Sequence, residues 1–231
     1  MRILIVTMLC VVFPVYAVDE PRREMWEESS HQLVFQQGDV RILDVRIVPG
    51  VTSEFHSHYF ATVYILINDA LMLNQNSGEE WGARIERPYG KVGSLMNRAD
   101  YVETNTYHRV RNTDDRTFHL LAIVNGADPV VDVAPVPANE NSDLLNNGWF
   151  REHRVLLGPG ATSDELTLEN DAVLVQIDNE GHTFVSEEGI THSAKSESGA
   201  WSWHPAGSTF QVVNGSEYAR ELVVVEVRQQ R

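Results

Sequence analysis

The chain has 231 residues, 18 Lys and Arg against 33 Asp and Glu, a formal net charge of −15 at pH 7 and one cysteine. That acidity opposes a nucleic-acid partner or an anionic membrane surface, and a single cysteine excludes an internal disulfide framework. No G-x-S-x-G elbow, P-loop or dinucleotide fingerprint occurs, so serine-hydrolase, nucleotide and nicotinamide chemistries lack support.

In chain order, residues 1–17 read as a cleaved secretory signal, with Arg2 ahead of an apolar run that closes on Val15-Tyr16-Ala17. The run is short for a membrane anchor, and Leu9 before Cys10 argues against a lipoprotein signal. Cleavage leaves a cysteine-free chain starting at Val18, destined for the periplasm or the exterior. Glu20–Gln32 and Asn139–Asn147 have room for a helical turn or two. The other apolar segments are short, rich in β-branched and aromatic residues, and bounded by Gly, Asn, Asp and Pro. Arg41–Val48, Tyr59–Ile67, Ala70–Asn74, Phe118–Asn125, Ala172–Ile177 and Leu222–Val227 are therefore expected as strands. Asn68-Asp69 and Asp178-Asn179 are expected as hairpin turns. The fold class is all-β.

The two halves repeat each other. Val48-Pro49-Gly50-Val51-Thr52-Ser53-Glu54 aligns with Leu157-Gly158-Pro159-Gly160-Ala161-Thr162-Ser163-Asp164, setting Gly50 on Gly160. Tyr107-His108-Arg109-Val110-Arg111-Asn112 aligns with Thr209-Phe210-Gln211-Val212-Val213-Asn214, and the second copy is shorter in its middle. Residues 126–147, rich in Pro, Ala, Asn and Asp, read as a linker between a first domain, 18–125, and a second, 148–231.

Chemistry concentrates at His56-Ser57-His58 and His108. Two histidines at i and i+2 on a strand share a face, and a third from a distant strand completes three-nitrogen coordination with positions left open. Three neutral imidazoles suit Fe(II), Mn(II), Ni(II), Cu(II) or Zn(II) and leave the ion's charge uncancelled, which favours an anionic or enolisable oxygen ligand. The opposing reading is a solvated turn, with His108 at the surface beside Arg109 and Arg111. Thr62 and Tyr64 share strand parity with His58 and are the candidate catalytic neighbours. His119 is a core or lining residue; His31, His153, His182 and His192 are expected at the surface, and His204 in a local structural role. Arg46 or Arg41 could reach an anionic substrate, although charged strand residues usually sit on a solvated face, and Trp81, Trp149, Trp201 and Trp203 are expected in packing.

On these residues the chain resembles the cupin superfamily, and within it a bicupin of two tandem jelly-roll barrels. Gly50, His56 and His58 fit the first cupin motif, although Thr62 or Val63 stands at its acidic position and Asp69 at its last glycine. His108 and Asn112 fit the second motif, with Asn97, Glu103 and Asn105 in place of its glycines and proline. In the second half Gly199, Pro205, Gly207 and Asn214 keep the frame, while Phe210 takes the histidine position and Leu166 and Leu168 replace His-x-His. The resemblance implies a metal at His56, His58 and His108, a degenerate second barrel, a small-molecule ligand or substrate, and homodimers as an assembly. It further implies either an iron oxygenase of three-histidine type, with Zn(II) or Mn(II) isomerase and lyase chemistry open to the same residues, or a non-catalytic binding or structural bicupin.

Overall fold

Backbone extension follows the apolar runs almost throughout. The computed structural model describes residues 22–82, 90–134, 144–177, 183–187, 190–193 and 198–230. A 3₁₀ turn over Met25–Glu27 leads into β1 (His31–Gln37), β2 (Val40–Ile47), β3 (His56–His58), β4 (Ala61–Asn68), β5 (Met72–Asn76) and β6 (Leu95–Arg98). A single helical turn, α1 (Tyr101–Thr104), precedes β7 (Thr106–Asn112) and β8 (Phe118–Asn125). The second half supplies β9 (Phe150–Leu157), β10 (Leu166–Thr167), β11 (Asp171–Gln176), β12 (Thr183–Glu187), β13 (Ile190–Ser193), β14 (Trp201–His204), β15 (Thr209–Asn214) and β16 (Arg220–Val227). All six expected strands are present, with ends shifted by a few residues. Of Glu20–Gln32, the described part holds only the 3₁₀ turn before β1 begins. The Asp178-Asn179 turn and residues 139–143 lie outside the described residues. No helix among the described residues is long and apolar enough to cross a membrane.

The Asn68-Asp69 hairpin does not form. β5 pairs with β7 in a different sheet, so the chain crosses between sheets after β4. Neither residue adopts the positive φ that a tight hairpin turn needs; Asn68 Nδ2 instead donates to the Thr117 carbonyl at 2.6 Å.

Residues 31–125 build a five-stranded sheet in the order β1-β2-β8-β4-β6 and a three-stranded sheet β3-β7-β5. Residues 150–227 build the sheets β14-β11-β16-β9 and β10-β15-β12-β13. Alternate side chains of β4 and β8 serve two cores. Tyr64, Leu66, Leu120, Ala122 and Val124 face the interior of the first half, with Met72 from the smaller sheet. Val63, Ile65, Ile67, Leu121 and Ile123 face the other way, onto Val173, Val175, Val223 and Val225 of the second half. Trp149, Trp201 and Trp203 pack at this junction, and Phe35 of β1 lies 4.8 Å, centroid to centroid, from Trp203. Burial on both faces explains why these strands read as continuous apolar runs rather than alternating ones.

The repeat is preserved at the level of individual hydrogen bonds. In Val48-Pro49-Gly50-Val51 and Gly158-Pro159-Gly160-Ala161, the fourth amide donates to the first carbonyl at 3.1 Å. The third residue sits at φ +77° in Gly50 and +68° in Gly160, the type II turn that Pro-Gly encodes. Ser53 Oγ accepts from Val110 N as Ser163 Oγ accepts from Val212 N. Asn112 Nδ2 donates to the Ile47 and Arg116 carbonyls; Asn214 Nδ2 donates to Leu157, Gly158 and Tyr218. Asn105, in the place of a motif glycine, takes φ +44° where Gly207 takes +83°; asparagine tolerates the left-handed region best after glycine.

Candidate metal centre

β3 pairs antiparallel with β7 so that His56 stands directly opposite His108. His58, two residues on, keeps the same face, and the three imidazoles offer ligand atoms that all lie within 4.8 Å of one another. Each Nδ1 is engaged. His56 Nδ1 donates to the Glu54 carbonyl at 2.8 Å, His108 Nδ1 donates to Asn74 Oδ1 at 2.5 Å, and His58 Nδ1 meets the Tyr64 hydroxyl at 3.1 Å. His58 Nε2 and His108 Nε2 point at each other across 2.9 Å. Nδ1 held by an oxygen and Nε2 turned inward is the arrangement of metal-bound histidines, whose outer hydrogen bonds set tautomer and ring orientation.

Electrostatics keep the cluster uncharged. Burial, with His31 and His108 beside it, pushes His56 down to about 2. Burial and then the charges of His108 and His56 hold His58 well below the ordinary histidine value. Burial, His31 and Arg98 push His108 down to about 4. Neutral imidazoles are the form a divalent cation requires, and His56 and His108, with Nδ1–H bonded outward, turn Nε2 lone pairs inward, so this donor set fits a metal.

The cluster opens on a cavity of about 400 Å³. Val45, Ile47, Met72, Met96, Phe118 and Leu120 supply its apolar walls, and Tyr64, Asn74, Arg98, Tyr101 and Thr106 its polar ones. Arg98 is the arginine that lines this cavity; Arg41 and Arg46, the two that the sequence offered for an anion, keep to other faces. Arg46 pairs with Asp44 on an exposed face, and Arg41 lies 4.4 Å over the Trp26 ring. Arg98 is held from both sides, by Asp100 at 2.9 Å and by the Tyr101 ring 4.0 Å from its guanidinium carbon. Burial lowers its pKa, but the Asp100 hydrogen bond together with the charges of Tyr101, Asp100 and Tyr64 more than offsets that and leaves it raised, so it stays charged.

Tyr64 lines the cavity, as strand parity predicts. Thr62 has the same parity but not the same place. Its hydroxyl donates to the Phe60 carbonyl at 3.0 Å, and it is not among the lining residues. Tyr107, beside His108, turns away and packs on Phe55 with ring centroids 5.5 Å apart.

Sequence reasoning missed His31. Expected at the surface, it is 5% exposed, lines the cavity and lies with its ring centroid 4.5 Å from that of His56. Its Nδ1 donates to Glu28 Oε2 at 2.6 Å. Glu28, itself 2% exposed, also accepts from the backbone amides of Ser30 and Glu54. Burial raises the Glu28 pKa, but the His31 hydrogen bond and charge and the Ser30 amide more than offset this, leaving it lowered. The sole sequence signal was the i, i+3 spacing of the pair. His153 likewise pairs with buried Glu226 at 2.6 Å, and His119 with Asp44 at 2.8 Å. His204 is buried against Phe210 with ring centroids 4.9 Å apart; the side chains of His182 and His192 lie outside the described residues.

The second half shows what the site becomes without its ligands. Leu166 pairs with Phe210 as His56 pairs with His108, and both pack with Leu168, Val212 and Val224 in an apolar cluster.

No protein-family model matches the sequence, and no curated relative matches it. Solved structures do match the fold. The chain is similar to AerE from Microcystis aeruginosa, at 14% identity over 84% of this chain and 90% of that one, with a TM-score of 0.60. It is similar to salicylate 1,2-dioxygenase from Pseudaminobacter salicylatoxidans, at 11% identity over 81% and 71% with a TM-score of 0.54; a further structure of that enzyme is of its adducts with gentisate. A cupin 2 conserved barrel domain protein from Leptotrichia buccalis matches at 12% identity over 86% and 88%, with a TM-score of 0.54. The fold is the all-β fold of the cupins.

Proposed function

We propose that the protein is a metal-dependent cupin of dioxygenase-like type, acting on a small anionic, oxygen-rich substrate. The observation that carries this reading is the convergence of His56, His58 and His108 at the wall of a cavity of about 400 Å³ that also holds Arg98. A divalent ion there supplies Lewis acidity and, when redox-active, a route for electrons between an enolate or catecholate and dioxygen; iron is first choice, with Mn, Ni, Cu and Zn open to the same ligands. Arg98 binds and orients the anion, Tyr64 sets the ligand's hydrogen bonding, and the apolar walls exclude water. Two barrels in tandem, the second a degenerate structural partner, complete the reading. Export rests on the sequence of residues 1–17.

One observation favours the second reading, a binding protein without turnover: the motif's acidic position offers neither a carboxylate nor, with Thr62 bonded to Phe60, a hydroxyl. Dioxygen uptake by the Fe(II)-loaded protein across a panel of hydroxybenzoates and catechols separates the two. Uptake that vanishes in His108→Ala supports the enzyme; tight binding of the same compounds without uptake supports the binding protein.

A further inference from the structure

The hydrogen bonds around His58 fix where its proton sits. Asn74 Nδ2 donates to Asn76, which leaves Oδ1 to accept from His108 Nδ1. His108 therefore presents a lone pair on Nε2, and His58 Nε2, 2.9 Å away, is the donor to it. The His58 proton being on Nε2, its Nδ1 is an acceptor, and the Tyr64 hydroxyl donates to it at 3.1 Å. Tyr64, His58, His108 and Asn74 thus form one directional chain.

A cation at His58 Nε2 needs the lone pair on that atom. Cluster geometry and burial hold the ring in place, so its proton moves to Nδ1 of the same imidazole. Nδ1–H then donates to the Tyr64 oxygen, reversing that bond. The phenolic proton, no longer directed at His58, turns into the cavity that Tyr64 lines. One proton changes nitrogen on one ring; none is gained or lost overall.

We propose that Tyr64 is a positioning residue whose O–H becomes a donor to an anionic ligand in the cavity only when His58 binds metal. The proposal rests on the three-histidine reading. It couples the two events, since an anion presented to the metal-free protein finds the Tyr64 proton engaged by His58.

The test uses the full chain labelled with ¹⁵N-histidine. Two-bond ¹H–¹⁵N correlation spectra of the metal-free protein are expected to show His58 protonated on Nε2 and His108 on Nδ1; loading with Zn(II) is expected to move the His58 proton to Nδ1. Azide titrated into Co(II)-loaded protein, followed by visible absorption, then reads the donor. Tyr64→Phe, loaded with Co(II) to the same occupancy as the wild type, is expected to bind azide about tenfold more weakly. His58 already protonated on Nδ1 in the metal-free protein, or azide affinity within twofold of wild type in Tyr64→Phe, overturns the proposal while leaving the metal site standing. Failure of the wild type to take up Zn(II) or Co(II) overturns both.

Discussion

His31 Nδ1 and Glu28 Oε2 meet at 2.6 Å, both side chains buried, with the His31 ring centroid 4.5 Å from that of His56 in the candidate metal centre, the two planes inclined at 58°. A buried carboxylate with no cation or donor is costly, and so is the imidazole left when the carboxylate goes. Glu28→Ala is expected to destabilise the protein by roughly 2–4 kcal/mol in denaturant melts, with Glu28→Gln, which keeps an acceptor, milder.

Acid is expected to unfold the metal-free protein early. His56 and His108, at about 2 and about 4 in the folded state, sit below the ordinary histidine value of 6.5. Between those values the unfolded chain binds protons that the folded one refuses, so stability falls as pH drops below about 6.5 and keeps falling to about 4 and beyond. Glu28 adds to the loss further down, because its lowered carboxyl stabilises the fold only while ionised. Thermal melts from pH 8 to pH 4 check the sign, and saturating Zn(II) is expected to raise every melting point where the imidazoles are still neutral.

Arg98 is expected to govern anions and not the metal. Arg98→Gln should leave metal content unchanged and weaken binding of a carboxylate probe such as salicylate by about tenfold. Calorimetric titration of the metal-loaded protein reads the difference. Equal affinity removes Arg98 from the recognition role.

The two asparagine clamps provide an internal comparison. Asn112 and Asn214 are both 0% exposed and each ties a strand end to a neighbouring turn through side-chain hydrogen bonds. Replacement of either by Ala is expected to cost roughly 2–4 kcal/mol. Asn112→Ala, at the end of the strand that carries His108, should also weaken metal uptake, whereas Asn214→Ala should not.

Much of this site was legible in the sequence because its signals are local. His-x-His at period two, the Pro-Gly turns and Asn112 each encode their own geometry, and the repeat places them in register. What was not legible depends on distance through space. His31 reaches the cavity because β1 runs beside β2, and no spacing relates it to His56. Parity set Thr62 and Tyr64 on one face but says nothing of height along the barrel, and only Tyr64 lines the cavity. The crossover after Asn68 was hidden for a similar reason, since Asn-Asp is compatible with a hairpin and only the pairing of β5 with β7 decides against it. Arg98 escaped notice because a lone arginine at a strand end carries no pattern.

The most direct test is metal content by mass spectrometry on protein purified without chelator, with His56→Ala and His108→Ala alongside. About one equivalent of a divalent transition metal in the wild type, lost in both variants, is the predicted result. A wild type that holds none, and takes up none on reconstitution with iron, manganese, nickel, copper or zinc, contradicts the account.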